Sequence, residues 1–556
     1  MYRRFRLLLP AIALLAVALA AWCWVDNAVN RGVTYEPPAT PVAWADVPQI
    51  GVNAFNIQFE PDPADVTRTL ELARDLGAGF VRVQMPWDDI EIHAKGDFED
   101  RRNADHVRSA WEKYDVIVAE ANRLGLELIV RIDRAPRWAR PNDHDDPRFQ
   151  AGLQENPDST GPPENYADYA DFVAAVARRY RGKVRFIQIW NEPNLAYEWS
   201  WRIPEPERFV ELLRAASIAA RAANPEVVII FPSLSPTDGK EPRKAPMSEL
   251  DYLDRVYRAG GAPYFDIMSA QAYGLGQPPD ENRYIRLRWS PAAPFNDLDR
   301  PIDSRIDVSR VVMLREVMER YGDGDTAIWI SEFGYNSAPE SVPEPARSNW
   351  GPPVSEELKG AYLVGQLERA RREWPWVGVM NVWFLRWGGY REPDPADPTP
   401  YFAIVDRDFT PLPAYAALRA YAAGAPVAGA GAHAWSHPAV ATISNGVWRV
   451  RFTGQSLVLR PAAPVDVSLD GAAPVRFNPD VHGGPVIVAS GLADDIHVAE
   501  IRGSLPPQSF LVGRERPFPW IWTPVPALLV LLLACATALT MLEIGRRAAY
   551  ARASKV

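Results

Sequence analysis

The sequence predicts an α/β protein whose main part is a (β/α)8 TIM barrel, followed by a small β-sandwich, with one transmembrane helix at each end. Three observations lead to this prediction. Short apolar runs alternate with amphipathic segments eight times between residues 48 and 422, shorter alternating runs follow, and a long uncharged run stands near each terminus. Eight strands that are each followed by a helix form parallel sheets and close into a barrel.

The first uncharged run covers residues 7–25 and follows Arg3, Arg4 and Arg6. It is longer than the apolar core of an ordinary secretory signal, and no A-x-A cleavage site follows it. These features favour a retained signal anchor over a cleaved signal peptide.

The second uncharged run covers residues 521–542 and is followed by Arg546 and Arg547. As a helix, it would be long enough to span the roughly 30 Å hydrocarbon core of a membrane. Because positive charges flank both runs on their terminal sides, both termini are predicted in the cytoplasm. The lipid bilayer is thus an expected partner, and the catalytic part is placed on the extracytoplasmic side of the cell membrane.

The barrel prediction rests on eight continuous apolar runs, which are typical of parallel strands buried on both faces. The predicted strands are Gln49–Phe55, Phe80–Met85, Glu127–Ile132, Val184–Trp190, Val227–Phe231, Phe265–Ala270, Ala327–Ser331 and Val377–Phe384. The long loops all follow strands, which places an active site at the carboxyl ends of the strands. The alternative, an open doubly wound sheet, requires a glycine-rich phosphate loop after the first strand, and residues 51–56 do not provide one.

Composition excludes several classes of function. The 47% hydrophobic content excludes a mainly disordered chain, and the net charge of -10 argues against a nucleic-acid partner. The two cysteines lie inside the two uncharged runs, so no disulfide framework is predicted. None of the seven histidines ends a predicted strand, and no metal site is predicted. The β-sandwich, residues 433–504, carries no motif that assigns it a role, and the oligomeric state is unknown.

Two carboxyl groups, Glu192 and Glu332, stand at the ends of the fourth and seventh predicted strands. Three strand–helix units separate them, so in an eight-stranded barrel they face one another across its mouth. A facing carboxyl pair cleaves a glycosidic bond, since one carboxyl protonates the leaving oxygen while the other attacks the anomeric carbon. Asn191, beside Glu192, can bind a sugar 2-hydroxyl. This chemistry needs no cofactor.

The two strand ends also resemble the motifs of a known group of enzymes. Residues 190–194, Trp-Asn-Glu-Pro-Asn, and 329–334, Trp-Ile-Ser-Glu-Phe-Gly, are similar to the acid/base and nucleophile motifs of the retaining (β/α)8 glycosidases. That clan includes the cellulase-like and the β-xylosidase/iduronidase-like families. The resemblance covers residues 48–422 and implies that Glu192 is the general acid/base and Glu332 the nucleophile.

The resemblance implies further roles for single residues. It implies that Arg82 keeps the nucleophile ionised, that the Tyr273 hydroxyl contacts the nucleophile, and that Trp383 floors the sugar site. Many members carry His-x-Tyr after strand six, whereas this chain has Gln271 before Tyr273. Glutamine can still form a hydrogen bond but cannot take a proton. Trp138 and Trp387 lie in strand-to-helix loops and are predicted to stack on sugars or to pack those loops.

These inferences predict a membrane-anchored retaining glycosidase that cleaves O-glycosidic bonds of a polysaccharide or oligosaccharide. Two alternatives remain. One is a carbohydrate-binding surface protein without catalysis, although both carboxyls are present. The other is a transglycosidase that remodels envelope glycans. The sequence does not specify the sugar, the linkage, or endo against exo cleavage.

Overall fold

The computed structural model describes residues 40–554 except 48, 55, 281–305, 391, 481 and 516–524. One compact unit, Glu36–Gly513, contains a barrel and a β domain. The barrel strands are β1 Ile50–Asn53, β2 Phe80–Gln84, β3 Glu127–Ile132, β4 Phe186–Ile189, β5 Val228–Ile230, β6 Met268–Gln271, β7 Ile328–Phe333 and β8 Val377–Val382. The helices of this unit are α1 Pro63–Leu76, α2 Glu112–Arg123, α3 Pro147–Glu155, α4 Tyr166–Arg179, α5 Pro206–Ala223, α6 Glu249–Arg258, α7 Arg310–Arg320, α8 Glu356–Glu373 and α9 Pro413–Ala422.

The eight parallel strands form one ring, which confirms the predicted barrel. Their order in the sheet is β5-β4-β3-β2-β1-β8-β7-β6. A parallel bridge between Ile230 and Ile267 joins the two outer strands, so the sheet closes on itself. A closed parallel barrel brings the carboxyl ends of all eight strands to one face, where barrel active sites form.

The interior of the barrel changes character from one end to the other. At the amino ends of the strands, Phe80, Phe186 and Trp329 pack together with ring centroids 4.9–5.6 Å apart. Two residues further along β2 and β4, the inward positions hold Arg82 and Gln188, which are hydrogen-bonded to one another. The aromatic layer therefore fills the barrel at the amino ends of the strands, and a buried polar layer lies between it and the carboxyl ends.

Local capping explains where several helices begin. Asp62, Asn165 and Ser355 each accept a hydrogen bond from a backbone N–H in the first turn of α1, α4 and α8. The sequence predicts a helix over residues 104–124, but α2 begins only at Glu112. In the preceding segment the Asn103 side chain accepts the N–H of Asp105, so a local turn replaces the first helical turns.

The β domain consists of two antiparallel sheets, as the sequence predicts for a small sandwich. Its strands are β9 Gly431–Ala434, β10 Val440–Ser444, β11 Val447–Thr453, β12 Ser456–Arg460, β13 Val465–Leu469, β14 Val475–Phe477, β15 Val486–Ala489, β16 Ile496–Gly503 and β17 Ser509–Gly513. One sheet has the order β9-β17-β12-β15 and the other β10-β11-β16-β13-β14. The last strand lies beyond residue 504, where the predicted domain ends.

The prediction of one transmembrane helix at each end is wrong. Among the residues that the structure describes, no helix combines the length and the hydropathy that a membrane crossing requires. The described C-terminal helix, α10 Val525–Ala553, includes residues 525–542 of the uncharged run and continues through Glu543 and Arg546. The first four residues of that run, and all of the run 7–25, lie outside the described residues. The placement outside the cytoplasm stays a prediction.

Candidate active site

Glu332 reaches the barrel mouth because of an irregularity in β7. Opposite β6, the pairing steps from Ala270 with Ile330 to Gln271 with Glu332, so β7 contains one extra residue there. Ser331 faces the barrel interior and contacts Ser233. In a regular strand its neighbour would point away from the interior, but a bulge redirects the following side chain. The Glu332 carboxylate is thereby turned towards the centre of the mouth, where it is buried.

Both carboxylate oxygens of Glu332 receive a hydrogen bond from a buried donor. Arg82 Nη1 donates to Oε1 at 2.9 Å, and the Tyr273 hydroxyl donates to Oε2 at 2.9 Å. Arg82 is itself fixed, because it also donates to Asn53 Oδ1 at 2.8 Å and to Gln188 Oε1 at 2.9 Å. The two donors therefore hold the Glu332 carboxylate in one orientation at the barrel mouth.

Glu192 lies three residues beyond the end of β4, in a different environment. Its backbone φ of 36° lies in the left-handed region, which is uncommon for a residue other than glycine and is typical of functional sites. Burial and, after it, the negative charge of Glu332 raise the pKa of Glu192 to about 7. The two carboxyl groups thus interact electrostatically, and Glu192 exchanges its proton near neutral pH.

The end of β6 contacts both carboxyl groups. Gln271 Nε2 donates to Glu192 Oε1 at 2.6 Å, and Tyr273, two residues later, donates to Glu332. Side chains two residues apart on a strand point to the same side, which explains how one segment contacts both. The hydrogen bond from Gln271 lowers the pKa of Glu192 and so opposes the larger effect of burial.

Asn191 is held in place by two side chains. Its Nδ2 donates to Glu198 Oε1 at 3.0 Å, and its Oδ1 accepts from Arg131 Nη1 at 3.2 Å. Burial, followed by the charges of Asp133 and Glu192, raises the pKa of Glu198 to about 8. Glu198 is thus a third carboxyl group beside the predicted pair, and its own pKa is raised.

A cavity of about 470 Å³ adjoins these residues at the carboxyl ends of the strands. Its lining includes Glu198, Arg131, Asp133, Asp88 and Trp387. Burial raises the pKa of Asp88 to about 6. The cavity combines charged groups with an indole ring, and such polar and aromatic groups are able to contact sugar hydroxyls and sugar rings.

The other two predicted aromatic residues have different surroundings. Trp383 directly follows β8, is half-buried, and packs edge-on against Phe384 with centroids 5.4 Å apart. Trp138 donates its indole N–H to the Glu91 carbonyl at 2.7 Å and packs edge-on against Trp87. The contacts of Trp138 are those of a residue that stabilises neighbouring loops, and the structure does not place it with the two glutamates.

Sequence reasoning missed several residues of this site. Glu198 lies six residues after Glu192 in the same loop, between Tyr197 and Trp199, and that proximity was the available signal. Gln188 and Asn53 were hidden inside predicted strands, where a polar side chain at an inward position indicates a supporting contact. The bulge in β7 left no signal in the hydrophobic pattern.

Several solved structures are similar to this chain at low sequence identity. Solved structures similar to this chain include a family 39 glycoside hydrolase from the gut symbiont Bacteroides cellulosilyticus WH2, at 16% identity and a TM-score of 0.48, with 82% of this chain and 81% of that chain covered. A GH39 beta-xylosidase from Caulobacter crescentus has 14% identity, 84% and 98% coverage and a TM-score of 0.43. The endo-1,4-beta-D-mannanase from Thermotoga petrophila RKU-1 has 13% identity, 67% and 99% coverage and a TM-score of 0.41. Comparison with curated protein sequences gives no match.

The sequence profile of a known family matches this chain over more than half of its length. The profile described as Cellulase (glycosyl hydrolase family 5) matches residues 44–360, which is more than half of the 556 residues and extends from the segment before β1 into α8. The matched range contains both Glu192 and Glu332. The resemblance to retaining (β/α)8 glycosidases is thereby confirmed, and the chain belongs to glycosyl hydrolase family 5, the cellulase family.

Proposed function

We propose that this glycosidase hydrolyses O-glycosidic bonds of a polysaccharide or oligosaccharide by double displacement, with retention of the anomeric configuration. One observation carries the proposal: the two carboxyl groups at the barrel mouth have opposite environments. Glu332 accepts a hydrogen bond from Arg82 on one oxygen and from Tyr273 on the other, whereas burial and the charge of Glu332 raise the pKa of Glu192 to about 7. A general acid must carry a proton near neutral pH, so the raised pKa of Glu192 supports Glu192 as the acid/base and leaves Glu332 as the nucleophile of this proposal.

In the first step Glu332 attacks the anomeric carbon, and Glu192 gives its proton to the leaving oxygen. Gln271 occupies Oε1 of Glu192, which leaves Oε2 to carry that proton. As the glycosyl ester forms, Glu332 loses its negative charge. The charge of Glu332 contributes to the high pKa of Glu192, so the loss of that charge lowers the pKa of Glu192. Glu192 is then stable in its deprotonated form, which acts as the base in the second step.

In the second step Glu192 removes a proton from water, and the hydroxide attacks the same carbon to release the sugar and to restore Glu332. Arg82 and Tyr273 stabilise the departing carboxylate, because their hydrogen bonds strengthen as its charge returns. Asn191 is proposed to bind the sugar 2-hydroxyl and Trp383 to lie under the ring. No metal or cofactor takes part in either step.

The test measures turnover of the full chain on a panel of aryl glycosides and polysaccharides, with Glu192→Ala and Glu332→Ala in parallel. We expect both variants to lose at least about a thousandfold in kcat, a factor typical of removing a group that acts in the chemical step. Azide should partly restore Glu332→Ala and give a glycosyl azide of inverted configuration. Glu340→Ala, in the exposed loop that follows β7, is the control and should keep wild-type turnover.

Product stereochemistry, followed by NMR during the first minutes of wild-type turnover, decides between mechanisms. Retention supports double displacement. Inversion, or turnover that survives in Glu332→Ala without azide, would reject the roles given to the two glutamates.

A further inference from the structure

A second cluster of ionisable side chains lies at the other end of the barrel from the glutamates. Asp46 precedes β1, while His433 lies on β9 and His437 in the turn that follows it. One ligand atom from each of the three side chains lies within 4.8 Å of the other two. We propose that these three residues form a site for a divalent metal ion of the zinc type, which fastens the β domain to the barrel.

The spacing of the three atoms matches a tetrahedral ion after small movements. His433 Nδ1 is 2.7 Å from Asp46 Oδ1, and His437 Nε2 is 3.8 Å from the same oxygen. Zinc bonds of about 2.0–2.1 Å in tetrahedral geometry put neighbouring ligands roughly 3.3 Å apart. These two separations lie on either side of that value, so shifts of about half an ångström bring each to it, while the two histidine nitrogens lie within 4.8 Å of one another.

The surroundings of His433 are those of a metal ligand. Its second ring nitrogen, Nε2, faces the Gly429 carbonyl at 2.9 Å. A hydrogen bond from the distal ring nitrogen to a carbonyl is the usual support of a ligating histidine, because it fixes the tautomer and directs the free lone pair at the ion. With its Nε2 proton held by Gly429, the His433 ring presents Nδ1 to Asp46.

Asp46 has a spare ligand atom. Its Oδ2 is buried and, among the residues that the structure describes, has no hydrogen-bond partner. A buried carboxylate oxygen without a partner is costly, and an ion bound by both oxygens of Asp46 would remove that cost. A cavity of about 370 Å³ borders Asp46, His433 and His437 and leaves room for water as the fourth ligand.

One contact must open for the ion to bind. His437 Nδ1 accepts the N–H of Ala439 at 3.0 Å, whereas ligation through Nε2 requires the ring proton on Nδ1. Imidazole nitrogen and carboxylate oxygen are donors that suit Zn²⁺, Co²⁺ and Ni²⁺, whereas Mg²⁺ and Ca²⁺ prefer oxygen alone. The site is therefore selective for the first group and binds less tightly than a preformed site.

The test uses the full chain without an affinity tag, after treatment with a chelator and its removal. Isothermal titration with ZnCl₂ should show one ion per chain, and Co²⁺ should give the visible absorption of a tetrahedral site. His433→Gln and His437→Gln should each weaken Zn²⁺ binding at least tenfold. His482→Gln, an exposed histidine of the same β domain, is the matched control and should bind as the wild type does.

Thermal unfolding supplies the second measurement. Because the ion binds the folded chain, the unfolding temperature of the wild type should rise with Zn²⁺ concentration and not with Mg²⁺. His437 loses fewer contacts than His433 on substitution, so His437→Gln decides the outcome if His433→Gln does not fold. Absence of saturable binding in the wild type, or binding of wild-type strength in His437→Gln, would overturn the proposal. The three side chains would then form only a hydrogen-bonded contact between the barrel and the β domain.

Discussion

Gln271 donates a hydrogen bond to Glu192, the proposed general acid/base. That hydrogen bond lowers the pKa of Glu192, since it stabilises the charged form. Gln271→Met keeps the side-chain length and removes the donor. We expect the basic limb of the pH profile of kcat/KM, which reports the free general acid, to move to higher pH.

The control for this measurement is Gln150→Met, on α3, whose amide contacts the His144 carbonyl. Its profile should match that of the wild type. A basic limb that stays in place or moves to lower pH in Gln271→Met would show that another group supplies the proton.

Tyr273 contributes one hydroxyl to Glu332, and its ring packs against Trp350 and Phe402. Tyr273→Phe preserves the packing and removes only the donor. Hydrogen bonds to charged groups contribute about 1.5–3 kcal/mol, so kcat/KM should fall by roughly 10- to 100-fold. Steady-state kinetics on the best aryl glycoside measures this fall.

Tyr335→Phe is the matched control for Tyr273→Phe. Tyr335 is buried in the same region, but its hydroxyl has no hydrogen-bond partner among the described residues. Its removal should leave kcat/KM unchanged. An equal loss in both variants would mean that the effect comes from packing and not from the bond to Glu332.

The residue types of the site were readable from the sequence, but their contacts were not. The two motifs predicted Glu192 and Glu332, the family resemblance implied Arg82 and Tyr273, and the structure brings these four together at the barrel mouth. The contact between Gln271 and Glu192 depends on the position of Gln271 at the end of β6. From the sequence, only the general ability of glutamine to form a hydrogen bond could be stated. Glu198 was missed because a loop's path cannot be derived from its composition.

At the level of elements, the strands were predictable and the bulge was not. All eight apolar runs became barrel strands within a few residues, since burial on both faces leaves an unambiguous signal. An extra residue in β7 leaves that run equally apolar, so the direction of Glu332 was not derivable. The same limit applies to residues 104–111, where side-chain hydrogen bonds to the backbone replace a predicted helix start.

The β domain contains a pH-dependent contact of its own. His497 on β16 faces the Asp470 carboxylate at 2.7 Å and the Ala493 carbonyl at 2.9 Å. Burial alone would lower the pKa of His497, but these hydrogen bonds outweigh it and raise the pKa above 6.5. The stabilisation is therefore complete below the unfolded-state pKa and is lost as pH rises through the higher folded-state pKa.

We expect His497→Gln to lower the unfolding temperature of the full chain at pH 5.5 and to change it much less at pH 8.5. Differential scanning calorimetry at both pH values measures the difference. His482→Gln, whose imidazole is exposed, should show no such dependence. Equal losses at both pH values would indicate that His497 acts through packing alone.

At the scale of the whole molecule, the net charge of -10 opposes the approach of a polyanion. We expect binding to a carboxymethylated polysaccharide to strengthen when salt is raised from about 20 to about 200 mM, because salt reduces the distance over which the two negative charges repel each other. Binding to the neutral parent polymer should stay constant. Titrations of Glu332→Gln, which binds without turnover, measure both, and weakening of the polyanion complex by salt would contradict the expectation.

Hydropathy was the least reliable guide at this scale. The uncharged run 521–542 predicted a membrane helix, yet no helix of the described residues has the length and hydropathy of a membrane span, and α10 extends past the run into charged residues. The bounds of a helix depend on backbone hydrogen bonding, which continues through charged side chains, and a hydropathy window does not detect this. The family resemblance, based on two short motifs at strand ends, was the more dependable prediction.

The joint contact of β6 with both glutamates links activity to strand register. A chain in which β6 pairs one residue out of step would turn Gln271 and Tyr273 away from the mouth together, because neighbouring residues on a strand face opposite sides. Such molecules would lose the hydrogen bonds to Glu192 and to Glu332 at the same time. Titration with a mechanism-based inactivator would then count the fraction of a preparation with native register, even where circular dichroism detects no difference.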